Sequence, residues 1–188
     1  MITFEEVMKL TSGVSGNAAF EDEECHAYYD LAAALLPGSI IVEIGLQYGR
    51  SSSIVLQVTG DQGHRYTGID PFESPEVQDA FVRMAGGIPM KATAVTSLVF
   101  HASTVAESMG YVPNQIDMAL IDGDHSYAAV REDCRIILPR IKPGGHVCFH
   151  DYGRESLPEV YPAVQDAMKG QPFVEVLKAG TLGVWRHI

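Results

Sequence analysis

Five side chains able to carry protons or bind metal ions fall into two short stretches of this sequence. Asp122, Asp124 and His125 lie in Ile121-Asp122-Gly123-Asp124-His125-Ser126-Tyr127, and His150 and Asp151 lie in Cys148-Phe149-His150-Asp151-Tyr152. Carboxylates and imidazoles move protons near neutral pH and ligate divalent cations. Each stretch follows an apolar run, so each set is delivered at the end of a buried strand. If those strands are neighbours, Asp122 and Asp151 repel unless something positive lies between them. An oxygen-ligated Mg²⁺ suits that gap, with His150, Asp124 or water as candidates to complete its shell. Quieter roles stand beside these: Asp124 capping the next helix, His125 bonding a neighbouring loop, His150 packing beside Asp151.

A second constellation lies upstream. Ser39-Ile40-Ile41-Val42-Glu43-Ile44-Gly45 reads as a buried strand running into a glycine, and Leu46-Gln47-Tyr48-Gly49-Arg50-Ser51 follows. Gly45 and Gly49 permit a tight turn and close approach of a ligand. Ser51 is placed to cap the next helix, whose first N–H groups suit a carboxylate. Asp70, about 25 residues after the loop and at a strand end, is placed to accept both hydroxyls of a ribose. Gln47 stands where a diphosphate-binding G-x-G-x-x-G loop has its middle glycine. Glu43 is unfavourable beside a pyrophosphate but suits a cationic amino-acid end. The loop therefore favours S-adenosylmethionine (SAM) over NAD.

The elements that must position these residues alternate along the chain. Helices are expected over 22–36, 51–58, 75–84, 103–109, 127–138 and 158–168, and strands over 39–45, 64–69, 97–101, 116–121 and 145–149. Residues 22–36 carry a broad apolar face of Cys25, Tyr28, Tyr29, Leu31, Ala32, Leu35 and Leu36. Pro139 stops the helix before it, and two last strands at 173–178 and 182–186 form a hairpin around Ala179-Gly180. Strands alternating with helices imply an α/β fold: a mostly parallel sheet with helices on both faces and an antiparallel C-terminal hairpin. In such a sheet, ligands bind beyond the carboxyl ends of the strands. The stretch 85–94, with Gly86-Gly87 and Pro89, reads as a loop that could cover a ligand. One domain spans 1–188, with a helical segment over 1–38 covering the sheet.

Composition narrows the partners. A formal net charge of −11 repels phosphate backbones, which demotes nucleic acid as a substrate. No apolar run reaches the ~20 residues of a membrane helix, and the N-terminus does not read as a signal peptide. The three cysteines, Cys25, Cys134 and Cys148, lack CxxC spacing and fit a reducing, cytoplasmic setting. With little chain left for a substrate domain, a homo-oligomer could complete the pocket.

Three segments together resemble class I SAM-dependent methyltransferases: the E-I-G-x-x-x-G-x-S loop, Ile121 to Tyr127, and Lys142-Pro143-Gly144-Gly145 through Tyr152. More narrowly, they resemble the small I-D-G-x-H-x-Y group of macrocin- or sugar-O-methyltransferase-like proteins. The resemblance runs from about Ile40 to Tyr152, and it implies a seven-stranded Rossmann-like sheet and methyl transfer to a hydroxyl of a small molecule. It places Glu43, Gly45, Gly49 and Ser51 at the methionine end of SAM, Asp70 at the ribose, and Ser103 and Thr104 near the adenine. Asp122, beside the cofactor, and Asp151 correspond to metal-binding acids, and His125 to a catalytic base. Tyr152 stands where such families often carry a further acid or amide. The alternatives are N-methyl transfer on the same fold, a non-catalytic SAM- or nucleotide-binding module, and an NAD-dependent oxidoreductase.

Overall fold

Strand β1 (Ile40–Ile44) is apolar apart from Glu43, and all but its first residue are buried. Such a run satisfies a strand covered on both faces, the situation of a central parallel strand. In the computed structural model, which describes residues 2–12, 20–59, 62–88 and 95–188, β1 lies in the middle of a seven-stranded sheet. The other strands are β2 (Arg65–Ile69), β3 (Val95–Val99), β4 (Ile116–Ile121), β5 (Ile141–Phe149), β6 (Phe173–Ala179) and β7 (Leu182–His187). Their spatial order is β3-β2-β1-β4-β5-β7-β6. The first five pair in parallel, and β7 runs antiparallel to both β5 and β6.

The helices are α1 (Phe4–Thr11), α2 (Asp22–Ala33), α3 (Arg50–Thr59), α4 (Pro75–Gly87), α5 (Ser103–Ser108), α6 (Tyr127–Ile137) and α7 (Val160–Met168). Alternate side chains of each strand feed two cores. On one face, α6 and α7 pack over Ala119, Ile121, Val147, Phe149 and Trp185. On the other, α2 and α3 cover Ile41, Met118, Leu120, Cys148 and Val184. All three cysteines are free and buried, as small apolar residues would be.

Several boundaries differ from the sequence reading. The α1 helix had no separate place in it; Thr3 caps α1 through a reciprocal bond with Glu6. The α2 helix stops at Ala33, which leaves Leu36 exposed instead of on the apolar face. The α4 helix, capped by Ser74 with Pro75 at its first position, runs on through Gly86-Gly87, where a loop was expected. The rest of that stretch, 89–94, lies outside the described residues. Strand β3 starts two residues early, and α6 ends at Ile137, one residue short of the expected stop before Pro139, which lies in the 3₁₀ turn (Leu138–Arg140) that follows.

Strand β5 is longer than expected because Lys142-Pro143-Gly144-Gly145 belongs to it. The pairing of β4 with β5 shifts register here, and a Cβ on Gly145 would come within 3.0 Å of the Asp117 carbonyl. Lys142 Nζ lies 2.7 and 2.8 Å from the two Asp117 carboxylate oxygens, one of which also accepts the Ile40 N–H at 2.7 Å. This motif thus ties the starts of β1, β4 and β5 together, at the opposite end of the sheet from the acids.

At the carboxyl ends the limiting contact is Gly45. Its φ of +86° belongs to the left-handed region, and a Cβ there would collide with the Asp122 carbonyl. The turn leaving β1 is pressed against the end of β4, so the two loops are set relative to one another. Gly45→Ala should cost about 3 kcal/mol, combining left-handed strain with steric overlap. Urea unfolding would show this as a lower midpoint at unchanged slope, and an unchanged midpoint would contradict the contact.

Candidate active site

A cavity of about 1530 Å³ opens above the carboxyl ends of β1 to β5. Gly45 to Ser51, Asp70, Ser103, Thr104, Asp122, His125 and Asp151 all line it. The polar residues expected at successive strand ends are therefore brought to one place. Glu43 and His150 do not line it.

Glu43 is fully buried beneath the loop. Its carboxyl accepts a short hydrogen bond from the Ser51 hydroxyl and another, at 2.6 Å, from Tyr66. Burial pushes its pKa up to about 7, although the Ser51, Tyr66 and Ser52 hydroxyls resist the shift. Ser51 sits inside the first turn of α3 and is bonded to Glu43, so it does not cap that helix. Glu43 and Ser51 together brace the floor of the loop, and Ser51 also lines the cavity.

Asp70 is also occupied. Its Oδ2 accepts from the N–H groups of Leu46 at 2.6 Å and Gln47 at 2.9 Å, and its Oδ1 from Phe72 N–H at 2.5 Å. A carboxylate offers about four acceptor sites, and three are filled from the protein. Asp70 staples the glycine loop from the neighbouring strand. Ser103 faces the cavity but donates to Asp133 Oδ1 at 2.5 Å, and burial raises the Asp133 pKa to about 6 against the effect of that bond.

The chemistry-bearing groups cluster at the ends of β4 and β5. His125 Nε2 lies 3.0 Å from Asp151 Oδ2 and 3.6 Å from Asp122 Oδ1. The Asp122 and Asp151 carboxylates next to it raise the His125 pKa to about 9. Asp124 Oδ1 accepts from the Ser126 N–H at 2.7 Å, and Ser126, rather than Asp124, caps α6. Asp151 has φ +56°, an uncommon conformation for a residue with a side chain and one found preferentially at functional sites. Arg154 lies 2.9 Å from its Oδ1. Burial opposes ionisation of Asp151, but His125 and His150 outweigh it and hold the carboxyl well below the usual range.

His150 lies behind the acids. Its Nδ1 is 3.2 Å from Asp122 Oδ1 and 3.4 Å from Asp151 Oδ2, and its Nε2 is 3.2 Å from Glu24 Oε2. Burial disfavours its charged form, yet the three carboxylates raise its pKa well above the ordinary value. Phe20 stacks on the ring at 4.5 Å. Among the described residues, Asp122, His125 and Asp151 each bring a potential ligand atom within 4.8 Å of the others, while His150 faces the same two carboxylates from behind.

Glu24 and Phe20 were not foreseen. Glu24 is buried and accepts from Glu21 N–H, Thr181 N–H and the Thr181 hydroxyl, each at 2.7 Å. Burial resists its ionisation, but His150 and these donors hold its pKa down to about 2. Its capping of Glu21 is a local pattern, but its contacts with His150 and Thr181, just past β5 and on the β6–β7 turn, are not.

A family model described as a methyltransferase domain matches residues 42–152. The chain belongs to the methyltransferase domain family. The matched span starts inside β1 and ends just past Asp151, so it contains the glycine loop and both acid-bearing strand ends. Among solved structures, the chain resembles a Klebsiella pneumoniae protein described only provisionally as an O-methyltransferase (TM-score 0.72, 14% identity, 98% of this chain and 89% of that one). It also resembles an O-methyltransferase from Bacillus cereus in complex with S-adenosylhomocysteine (0.65, 15%, 97% and 87%) and the TDP-rhamnose 3'-O-methyltransferase of calicheamicin biosynthesis (0.61, 15%, 97% and 92%). At these identities the likeness is one of fold. An uncharacterised protein of Acanthamoeba polyphaga mimivirus is 28% identical over 126 residues; the match covers 65% of this chain and 56% of the viral protein.

The buried Glu43 makes stability depend on pH. A carboxyl whose folded pKa is raised from 4.5 to about 7 keeps its proton longer in the folded state. Its contribution is present below the unfolded value and is lost as pH rises through the folded one. Glu43→Gln has no such proton to lose. Relative to wild type, its stability should rise by roughly 3 kcal/mol between about pH 4.5 and pH 8 in urea titrations. A difference that stays constant with pH would show that Glu43 titrates normally.

Proposed function

We propose that this methyltransferase moves the methyl group of SAM to a hydroxyl of a small molecule, with a divalent cation assisting at Asp122 and Asp151. One observation carries the reading: the glycine loop and the Asp122–His125–Asp151 cluster open into the same cavity. A donor lying along the loop would present its methyl toward the cluster. The S-adenosylhomocysteine bound in the Bacillus cereus fold relative supports the choice of donor.

The reaction is an in-line displacement. An oxygen lone pair of the acceptor forms a bond to the methyl carbon, the carbon–sulfur bond breaks, and its electrons return to sulfur as a thioether. The acceptor's proton must leave, and His125 is the group placed to take it. With both carboxylates facing it, His125 holds a proton of its own near neutral pH, since its pKa is raised to about 9. Oxygen atoms of Asp122 and Asp151 would hold a divalent ion of the magnesium-to-manganese type, with water filling the rest of its shell and the His125 nitrogen left free for the proton. Bound there, such an ion would orient the acceptor hydroxyl and lower its pKa. With their charge engaged by such an ion, Asp122 and Asp151 would stabilise the imidazolium less, which would leave His125 free to accept the acceptor's proton. Arg154 and the left-handed backbone of Asp151 hold that carboxylate in place.

Calorimetric titration should show SAM binding and no NAD binding, with the SAM isotherm altered by Mg²⁺ or Mn²⁺. Absence of SAM binding under both conditions would overturn the proposal. His125→Ala should leave SAM affinity nearly unchanged while lowering S-adenosylhomocysteine production from a panel of hydroxylated acceptors by about 10²–10⁴-fold. Loss of SAM affinity with the substitution would place His125 in the donor site and remove it as the base.

A further inference from the structure

The buried His150 ring meets three carboxylates. Its Nδ1 lies 3.2 Å from Asp122 Oδ1 and 3.4 Å from Asp151 Oδ2, and its Nε2 lies 3.2 Å from Glu24 Oε2. Carboxylate oxygens accept hydrogen bonds and do not donate them, so both ring nitrogens carry hydrogen and both donate. The ring is thus a bridge from the acid pair at the strand ends to Glu24 on α2. Neither His150 nor Glu24 lines the cavity.

The far end of the bridge is fixed. Glu24 Oε1 accepts from the Thr181 N–H and hydroxyl, and its Oε2 from the Glu21 N–H, each at 2.7 Å. A Cβ on Gly180, which has φ +56°, would stand 2.8 Å from Glu24 Oε1, so the hairpin turn is shaped to this carboxylate. Phe20 stacks on the imidazole with the two planes 15° apart and sets the tilt of the ring. An ion pair buried this deeply contributes little to stability compared with an apolar pair of equal volume, so folding alone does not account for it.

What the pair supplies is direction. Asp151 is held by Arg154 at 2.9 Å, whereas the Asp122 carboxylate has His150 at 3.2 Å and His125 at 3.6 Å. Groups that hydrogen-bond a metal-ligating carboxylate fix its orientation, and their loss weakens ion binding about 10–100-fold. We propose that Glu24 and His150 are positioning residues of the ion site: Glu24 fixes the imidazole, and the imidazole fixes the Asp122 carboxylate in the orientation that holds a divalent cation. The inference rests on the divalent-cation reading above and deepens it.

The test measures Mn²⁺ affinity by electron paramagnetic resonance of the free ion, with neither donor nor acceptor present. It compares wild type with His150→Asn, His150→Gln, Glu24→Ala and the Glu24→Ala/His150→Gln double variant. An asparagine amide nitrogen reaches the place of Nδ1 and a glutamine amide nitrogen that of Nε2, so the two variants differ in which carboxylate they reach and not in charge. His150→Gln should bind Mn²⁺ about 10–100-fold more weakly, while His150→Asn stays near the wild-type value. Glu24→Ala should also weaken binding, and should add nothing in the His150→Gln background, because it acts through the ring. Affinity for S-adenosylhomocysteine, read by calorimetry, should be the same in all of them. If Glu24→Ala does not fold, Thr181→Val replaces it: it removes one donor to Glu24, keeps the backbone donor, and should give a smaller loss in the same direction.

Equal losses in the asparagine and glutamine variants, additive losses in the double variant, wild-type Mn²⁺ affinity throughout, or a parallel fall in S-adenosylhomocysteine affinity would each overturn the proposal and leave the ion site standing. A wild type that binds no Mn²⁺ would overturn the divalent-cation reading and this inference together.

Discussion

Two carboxylates at the ends of neighbouring parallel strands repel, and the chemistry-bearing half of this molecule is arranged around that repulsion. The β4–β5 pairing sets Ile121 opposite Phe149, so the chain brings Asp122 and Asp151 side by side as it leaves the sheet. Neither acid is left to itself. His125 comes from the following loop, Arg154 from three residues beyond Asp151, and His150 from behind. Each supplies positive charge at a distance where, in a partly dry site, it matters far more than on the surface. The cost of assembling this cluster is met by the core beneath it, where β4 and β5 are buried on both faces.

The architecture was legible where physical demands are local. A central strand must be largely apolar, and Ile40 to Ile44 apart from Glu43, Ile116 to Ile121 apart from Asp117, and Val147 to Phe149 satisfy that in the sequence itself. The final hairpin announces itself by Ala179-Gly180 between two strand-forming runs. Helix ends were less legible because they depend on tertiary contact. Gly86 and Gly87 read as a break, yet α4 passes through them: the cost of about 1 kcal/mol for glycine in a helix was tolerated.

The site was legible as a set of residues but not as a set of roles. Which side chains gather at the carboxyl edge follows from strand order, and Asp122, His125, Asp151, Gly45, Gly49 and Asp70 all arrive there. What each does follows from where its hydrogen bonds go. Glu43 points away from the cavity because alternate residues of a strand face opposite sides, and its side is the one covered by α3. Asp70 turns to the loop because unpaired N–H groups at Leu46 and Gln47 lie within its reach. His150 and Glu24 meet across 126 residues of chain, a pairing that no local pattern encodes.

That last pairing bears on the order in which the molecule can be completed. Glu24 is fixed not only by His150 but by Thr181, 157 residues further on, at the turn of the last hairpin. During vectorial synthesis α2 therefore waits for the β6–β7 hairpin before its carboxylate has all its donors. Until then a charged group sits against an apolar core without its partners, an arrangement that favours an open α2. Closing so long a loop adds little entropy cost beyond that of a shorter one, so the delay is one of synthesis more than of thermodynamics. A nascent chain lacking β6 and β7 could form the five-stranded parallel core, yet its cluster of acids and imidazoles would stand without the contact that fixes it from behind. Maturation of the site is thereby tied to arrival of the β6–β7 hairpin.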